Sequence, residues 1–241
     1  MNSKRIKAII ISGAITAAPL LGGLQFVRAQ ESFDVGVASH EGSHAHAEGT
    51  LINRNGTFFV IKGGTRFGFP TAEILASHGY KLSDAVVANN GDMALPQGAN
   101  ATFAPGTLVN SGGTVYIVTG SFGDLTTMNT VRGFPNATIF TNLGYSFSNV
   151  LRGNLVGYPV GANVSATTEH PSTSFVNVDG TIYTATQEGS AIVKRPFASF
   201  DVFCSWGLRF NRAVVAESGD RVLATGSFVP SRENGDSPDC K

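Results

Sequence analysis

Short runs of β-branched and aromatic residues occur three times along the chain, and each run is interrupted by a pair of residues that favours a tight turn. The turn pairs are Asn55-Gly56, Gly112-Gly113 and Asp179-Gly180. Residues of these types accept a positive φ at little cost, and short β-branched and aromatic runs flank them. Each run therefore predicts a β-hairpin.

A second pattern follows each hairpin: an aromatic residue, then a helix-capping residue, then a glycine ten residues after the aromatic one. The aromatic residues are Phe69, Phe134 and Phe197, the capping residues Thr71, Asn136 and Ser199, and the glycines Gly79, Gly144 and Gly207. This spacing predicts a helix of about two turns, which needs packing partners to be stable. Apolar and polar residues alternate after each glycine, which predicts a short extended segment.

The regular return of this pattern predicts an α+β, β-rich fold made of three tandem units, each a β-hairpin, a short two-turn helix and short extended segments. The predicted units cover 49–105, 106–172 and 173–230, and a polar tail follows at 231–241. Repeated units bury their apolar faces against their neighbours, so the middle unit is expected to contact both others. We expect Phe69, Phe134 and Phe197 to occupy equivalent buried positions.

The three units differ mainly in the loop between the hairpin turn and the aromatic residue. Residues 121–130 and 187–194 are predicted insertions relative to the first unit. Insertions in repeat proteins often cluster on the binding face, although unselected variation in loop length would give the same pattern.

The first 29 residues have the features of a secretory signal peptide. Lys4, Arg5 and Lys7 precede an apolar, small-residue run at 8–24, and small residues stand at the cleavage positions. Polar residues and glycines interrupt the run, which argues against a membrane anchor. We therefore expect a secreted protein, extracellular or at the cell surface, with a linker at 30–48 and no stable membrane insertion.

Removing the signal peptide changes the charge of the chain. The whole sequence has 17 basic and 17 acidic residues, and the signal carries four of the basic ones and none of the acidic ones, so the mature chain has a net charge of −4. This charge argues against nucleic acid as a partner. Cell-wall glycan or a surface protein is the kind of partner that we expect.

The repeated motif also includes Arg132-Gly133-Phe134-Pro135, Lys194-Arg195-Pro196-Phe197-Ala198, an aromatic helix at 201–207 that ends in glycine, and Tyr158-Pro159-Val160-Gly161. Over residues 49–230 this order resembles a short hairpin-plus-helix repeat of secreted bacterial cell-surface proteins. The first unit departs from it at Phe67, where the others have Arg132 and Arg195. The resemblance implies an accessory module of the bacterial envelope and no catalytic residues.

Three groups of residues are candidates for binding. The basic residues Arg66, Arg132, Lys194 and Arg195 precede the predicted helices and are candidates for holding an acidic ligand, or else form a solvated rim. His40, His44 and His46, with Glu41 or Glu48, could bind zinc, copper or nickel, or else form a solvated linker. Cys204 and Cys240 could form a disulfide in an oxidising compartment, or remain two separate thiols.

The sequence contains no local signature of catalysis. We find no nucleophile elbow, phosphate-binding loop or H-E-x-x-H helix, and His78 aligns with the apolar residues Leu143 and Trp206, which favours a packing role. No cofactor is indicated. The leading hypothesis is a secreted, non-enzymatic repeat protein that binds or organises cell-envelope material. The alternatives are an extracellular transition-metal-binding protein and, less favoured, a cell-wall hydrolase or its accessory.

Overall fold

The computed structural model describes residues 44–165, 167–188 and 191–232. The chain divides into two units, 1–39 and 40–241, and all the described residues belong to the second. The predicted signal peptide, His40 and Cys240 therefore lie outside the described residues.

The described residues form three four-stranded sheets. The first contains β1 (Leu51–Arg54), β2 (Thr57–Lys62), β3 (Thr65–Gly68) and β4 (Val86–Val87); the second contains β5 (Leu108–Ser111), β6 (Thr114–Val118), β7 (Val131–Gly133) and β8 (Val150–Arg152); the third contains β9 (Phe175–Val178), β10 (Thr181–Glu188), β11 (Ala191–Pro196) and β12 (Val214–Val215).

All three sheets have the same strand order. In the first sheet the order is β3-β2-β1-β4, and the second and third repeat it with their own strands. The first three strands of each sheet are antiparallel, and the short fourth strand pairs in parallel with the first. The α+β, β-rich class expected from the sequence is confirmed.

Each predicted hairpin contains a hydrogen bond that the turn pairs alone did not reveal. The asparagine three residues before the turn glycine accepts a hydrogen bond from the backbone N–H of that glycine. The pairs are Asn53 with Gly56 at 2.8 Å, Asn110 with Gly113 at 3.1 Å, and Asn177 with Gly180 at 2.8 Å. The amide side chain thus holds the left-handed turn closed in all three sheets.

The described helices are short. They are α1 (Ala72–Ser77), α2 (Asn90–Ala94), α3 (Ala137–Asn142), α4 (Phe200–Ser205) and α5 (Ser218–Val222). The side chains of Thr71, Asn136 and Ser199 cap α1, α3 and α4 as expected. No helix in this part of the chain is long and apolar enough to cross a bilayer.

The segment after each helix differs from the expected extended conformation. It forms a single 3₁₀ turn before the fourth strand, at Leu82–Asp84, Phe147–Asn149 and Phe210–Arg212. The apolar residue that begins each turn is about half exposed, so the alternation of apolar and polar residues did not mark a buried strand here.

The three aromatic residues Phe69, Phe134 and Phe197 are buried at corresponding positions, with 7%, 6% and 5% of their surface exposed. The N–H of each donates to a carbonyl on the second strand of its own sheet, at 2.9 to 3.0 Å. The rings of Phe134 and Phe197 also contact a helix, with centroids 5.1 Å from Phe140 and from Phe203. Each of these two residues therefore joins a hairpin to the helix that follows it.

The first and third sheets contact each other directly, so the middle one is not alone in having two neighbours. The turns at the ends of α1 and α4 pack backbone to backbone, and a Cβ atom at Gly79 would lie 2.1 Å from the carbonyl oxygen of Trp206. The second and third sheets also share a core: Phe134, which follows β7, packs in one cluster with Val176 of β9 and Val214 of β12. Ile74 of α1 packs against the core cluster of the second sheet, so the three sheets close on one another instead of forming an open array.

A histidine and an aspartate form a matched pair beside the first sheet and again beside the third. Each histidine lies five residues before the first strand, and the aspartate accepts from both its backbone N–H and its ring. Nδ1 of His46 lies 2.7 Å from Oδ2 of Asp92, and Nδ1 of His170 lies 2.6 Å from Oδ2 of Asp220. Both aspartates are buried at the start of a helix.

Hydrogen bonding outweighs desolvation at Asp220. Burial alone would raise the pKa of this carboxyl group, but hydrogen bonds from the side chain and backbone of His170 and from the N–H of Glu217 hold the pKa below its usual value. No sequence pattern indicates this pair, because its two members are 50 residues apart.

In the second sheet, apolar side chains occupy the corresponding positions. Phe103 lies five residues before the first strand, Leu155 replaces the aspartate, and the two share a core cluster with Tyr158. The hydroxyl of Tyr158 accepts from the N–H of Phe103 at 2.8 Å, so the backbone donor that a carboxylate satisfies in the other sheets has a phenol partner here.

We predict that Asp220→Leu alone destabilises the protein by about 3 to 5 kcal/mol, because it leaves His170 and buried backbone donors without an acceptor. The triple variant His170→Phe/Asp220→Leu/Leu223→Tyr, which copies the second sheet, should recover at least half of that loss. Urea unfolding of the three proteins measures both effects. A triple variant no more stable than Asp220→Leu would contradict the equivalence of the two arrangements.

We also predict that Phe134→Ala lowers the free energy of unfolding by about 3 to 5 kcal/mol. Phe69→Ala and Phe197→Ala should cost similar amounts, since each sheet contacts both others. The control is Val156→Ala, at a side chain that is 82% exposed. Thermal and urea unfolding provide the measurement, and a Phe134→Ala protein as stable as the control would refute the packing scheme.

Candidate functional site

The loop between β6 and β7 contains the predicted insertion 121–130 and joins the first sheet to the third. The ring of Phe122 packs edge-on against Phe175, Phe197 and Trp206, with centroids 4.8 to 5.7 Å away. Leu125, three residues later, packs in the core of the first sheet beside Phe69. The loop is therefore part of the junction between the sheets.

A pocket of about 260 Å³ opens where this loop meets the first and third sheets. Its walls are mainly apolar and aromatic, and include Tyr80 from the first sheet region, Phe122 from the loop, and Phe175 and Trp206 from the third sheet region. The volume is far larger than a single water molecule needs. A small molecule would contact all three parts of the fold at once.

Two arginines line the pocket. Nη2 of Arg212 donates to the carbonyl of Gly106 at 3.2 Å, and its guanidinium lies 5.3 Å from the ring centre of Phe175. The guanidinium of Arg232 lies 3.5 Å from the ring centre of Tyr80. Burial lowers the pKa of both arginines to about 10, so both stay charged at neutral pH.

His78 is a neutral polar group of the pocket. Desolvation lowers its pKa to about 4, and the positive charges of Arg232 and Lys62 act in the same direction, against the opposing effects of Thr102 and Asp124. Its Nε2 atom lies 2.8 Å from the carbonyl oxygen of Thr102. The expected packing role at the end of the helix agrees with this position, which also faces the pocket.

The polar side chains of the pocket hydrogen-bond away from one another. Oγ of Ser77 donates to Ile74 and accepts from Ala104. The carboxylate of Asp124 accepts from residues of its own loop, 126–129. Within the described ranges, no hydrogen bond joins Ser77, His78 and Asp124, so these three residues do not form a relay for nucleophilic catalysis.

The residues at the pocket break the similarity among the three sheets. His78, Leu143 and Trp206 occupy the same position at the end of their helices, yet His78 and Trp206 line the pocket and Leu143 is buried in a core. Arg212 ends the third 3₁₀ turn, where the other two turns end in Asp84 and Asn149. The chemistry of the pocket therefore comes from positions that differ among the sheets.

The two predicted insertions meet at a second cleft of about 270 Å³. Ser121 and Thr130 line it from one side, and Gln187 and Ile192 from the extended β10–β11 hairpin line it from the other. Both insertions thus lie on one side of the described structure, next to each other.

The four cations predicted to bind an acidic ligand donate hydrogen bonds to backbone carbonyls within the chain. The acceptors are Met93 and Leu95 for Arg66, Ala162 for Arg132, Arg221 for Lys194, and Ser227 for Arg195. Arg66 and Lys194 thereby cap the ends of α2 and α5. These contacts give the four residues a structural role, and ligand binding by them stays a prediction.

The predicted metal ligands are not gathered around one point in the described residues. His46 is paired with Asp92, and Glu48 accepts from the N–H groups of Gly63 and Gly64. No group of three or more potential ligands occurs in the parts of the chain that the structure describes. His40 lies outside those parts, and the side chain of His44 is exposed. Residues 44–48 pack against the first sheet instead of forming a free linker.

Cys204 lies buried in α4, as expected for the helix. Its predicted partner Cys240 is outside the described residues, so the disulfide stays a prediction. The predicted polar tail begins as part of the fold: the N–H of Arg232 donates to Oγ of Ser205, and its Nη1 atom to the carbonyl of His78.

Comparison with known proteins assigns no family. No family model matches the chain, and no curated protein matches it. Among solved structures it is similar to a chain of the periplasmic assembly of the ESX-5 inner membrane complex, with 10% identity over 82% of this chain and 63% of that one, and a TM-score of 0.19. It is also similar to a chain of an intact ESX-5 inner membrane complex, with 11% identity over 80% of this chain and 54% of that one, and a TM-score of 0.18. TM-scores this low carry no argument about fold or function.

We predict that His78 makes the protein less stable as the pH falls. The unfolded chain binds a proton near pH 6.5, whereas folded His78 binds one only near pH 4. Stability is therefore fully present above pH 6.5 and declines by up to about 3 kcal/mol as the pH falls towards 4.

His78→Leu, which introduces the residue found at the corresponding position of the second sheet, should reduce this decline. Urea unfolding at pH 7.5 and pH 5.0 measures it, with His44→Leu as the control at an exposed histidine. Equal declines in the wild type and in His78→Leu would show that His78 is not the group responsible.

Proposed function

We propose that this protein is a secreted, non-enzymatic binding protein of the bacterial envelope, built from three tandem units of one repeat, with its ligand site in the pocket where the units meet. Shared strand order, shared helix caps and the shared asparagine turn support a common repeat. The signal-like segment at 1–29 and the resemblance to a cell-surface repeat support a location at the bacterial envelope.

The composition of the pocket is the observation that carries the proposal. A repeat protein that served only as a scaffold would need no opening at its centre, and its corresponding positions could all hold packing residues. Here the loop by which the second unit differs from the first brings Phe122 to the pocket, Arg212 reaches it from the third unit, and Arg232 reaches it from the start of the tail. Buried aromatic side chains and arginines are typical of binding sites.

The hydrogen bonding of Ser77, His78 and Asp124 supports binding over catalysis. A general base needs a pKa close to the working pH. Burial lowers the pKa of His78 to about 4, far below neutral pH. Cell-wall glycan or a surface protein that presents a small side group is the partner class that we propose.

Co-sedimentation with isolated bacterial cell wall tests the proposal. Residues 30–241 should pellet with the wall, and Ala104→Trp, which fills the pocket from a lining position, should stay largely in the supernatant. Val156→Trp, at an exposed position in the second unit, is the control and should pellet like the wild type. Wild-type protein found only in the supernatant, or equal pelleting of both variants, would refute a pocket-dependent envelope function.

A further inference from the structure

The charged groups that line the pocket are unbalanced. Among the described residues, Lys62, Arg212 and Arg232 supply three positive charges to the pocket, and Asp124 supplies the single carboxylate. The hydrogen bonds that Asp124 accepts from its own loop hold its pKa low, although burial opposes this effect. With His78 neutral, the pocket carries an excess of positive charge at neutral pH.

Neither arginine has a carboxylate partner among the residues that the structure describes. Each guanidinium donates to one backbone carbonyl, Arg212 to Gly106 and Arg232 to His78. A guanidinium has five N–H donors, so most of the donors of each remain available. Stacking on Phe175 and Tyr80 holds the two groups in place while leaving their edges free.

An uncompensated cation in a largely apolar setting is costly unless a ligand or solvent balances it. The low pKa of both arginines expresses the same cost, which a bound anion would relieve. The walls around them are the rings of Phe122 and Trp206 and the side chains of Leu125 and Leu208. An inorganic anion would use the cations and leave these walls uncovered, whereas a neutral apolar molecule would leave the cations unpaired.

We propose that the pocket binds a small organic anion, with an apolar or aromatic body against the rings and a carboxylate, sulfonate or phosphate group on Arg212 and Arg232. This inference rests on the proposed function, because it names the ligand class of the same pocket. Arginine forms paired hydrogen bonds to such head groups.

Two dyes that share an apolar framework and differ in charge test the proposal. 1-Anilinonaphthalene-8-sulfonate is an anion, and N-phenyl-1-naphthylamine is its uncharged counterpart. Fluorescence titration of residues 30–241 should show saturable binding of the anion at one site, and binding of the neutral dye about tenfold weaker or more, because the neutral dye has no charged group for the arginines to hydrogen-bond.

Arg212→Gln and Arg232→Gln should each weaken binding of the anionic dye by about tenfold and leave the neutral dye unchanged. Arg54→Gln, at an exposed arginine of the first hairpin, is the matched control and should change neither. Ala104→Trp should abolish binding of both dyes. If circular dichroism shows that Arg212→Gln does not fold, Arg232→Gln and Lys62→Gln test the proposal instead. Each of them should then weaken binding of the anionic dye and leave the neutral dye unchanged.

Equal loss of both dyes in the arginine variants, or anionic binding that survives Ala104→Trp, would overturn the proposal. Failure here is distinct from failure of the envelope function. If the protein pellets with cell wall in a pocket-dependent way but binds the two dyes equally, the proposed envelope function stands and the anionic ligand is refuted. If the protein binds the anionic dye more tightly but does not pellet with cell wall, the anionic ligand stands and the envelope function is refuted.

Discussion

The burial of one phenylalanine after each hairpin is the interaction on which the fold depends. The helices α1, α3 and α4 have six residues each, too few for a helix to be stable in water. Phe134 and Phe197 contact both a hairpin and its helix, and each donates its N–H to the second strand. Without such a side chain, neither the short helix nor the third strand would have a fixed place.

Close backbone contact then determines how the sheets meet. Gly79 and Gly207 allow the ends of α1 and α4 to touch, since a side chain at either position would collide with the opposing backbone. Because both glycines also have positive φ, the residue that ends the helix is the same one that permits the contact. The loop after β6 occupies the space beside this contact, and the pocket is the part that the loop leaves open.

Sequence reasoning predicted the local elements and few of the distant contacts. The turn pairs and capping residues act within a few positions, so their spacing is visible, and the hairpins and helix caps are confirmed. The 3₁₀ turns were missed because apolar residues that alternate for three positions do not distinguish a turn from a strand. His170 and Asp220, and Arg232 and Tyr80, are separated by at least 50 residues, and no pattern along the chain connects them.

For the pocket too, the local features could be predicted from the sequence and the distant contacts could not. His78 was correctly assigned a position at the end of a helix, but the identity of its neighbours depended on how the sheets close. Arg212 and Arg232 were not candidates, because they lie in segments without a repeated motif. For Arg212 alone the sequence contained a signal, its departure from Asp84 and Asn149 at the corresponding positions, and this could be recognised only once the 3₁₀ turns were aligned.

The two solutions found before the first strands, His–Asp and Phe–Leu–Tyr, have a consequence for how such a chain can evolve. Replacing the aspartate alone leaves buried donors without an acceptor, and replacing the histidine alone removes a donor from a buried carboxylate. Each arrangement is thus separated from the other by intermediates of lower stability. A sheet with one of these arrangements therefore cannot exchange it for the other through a single substitution without losing stability, even though both support the same backbone.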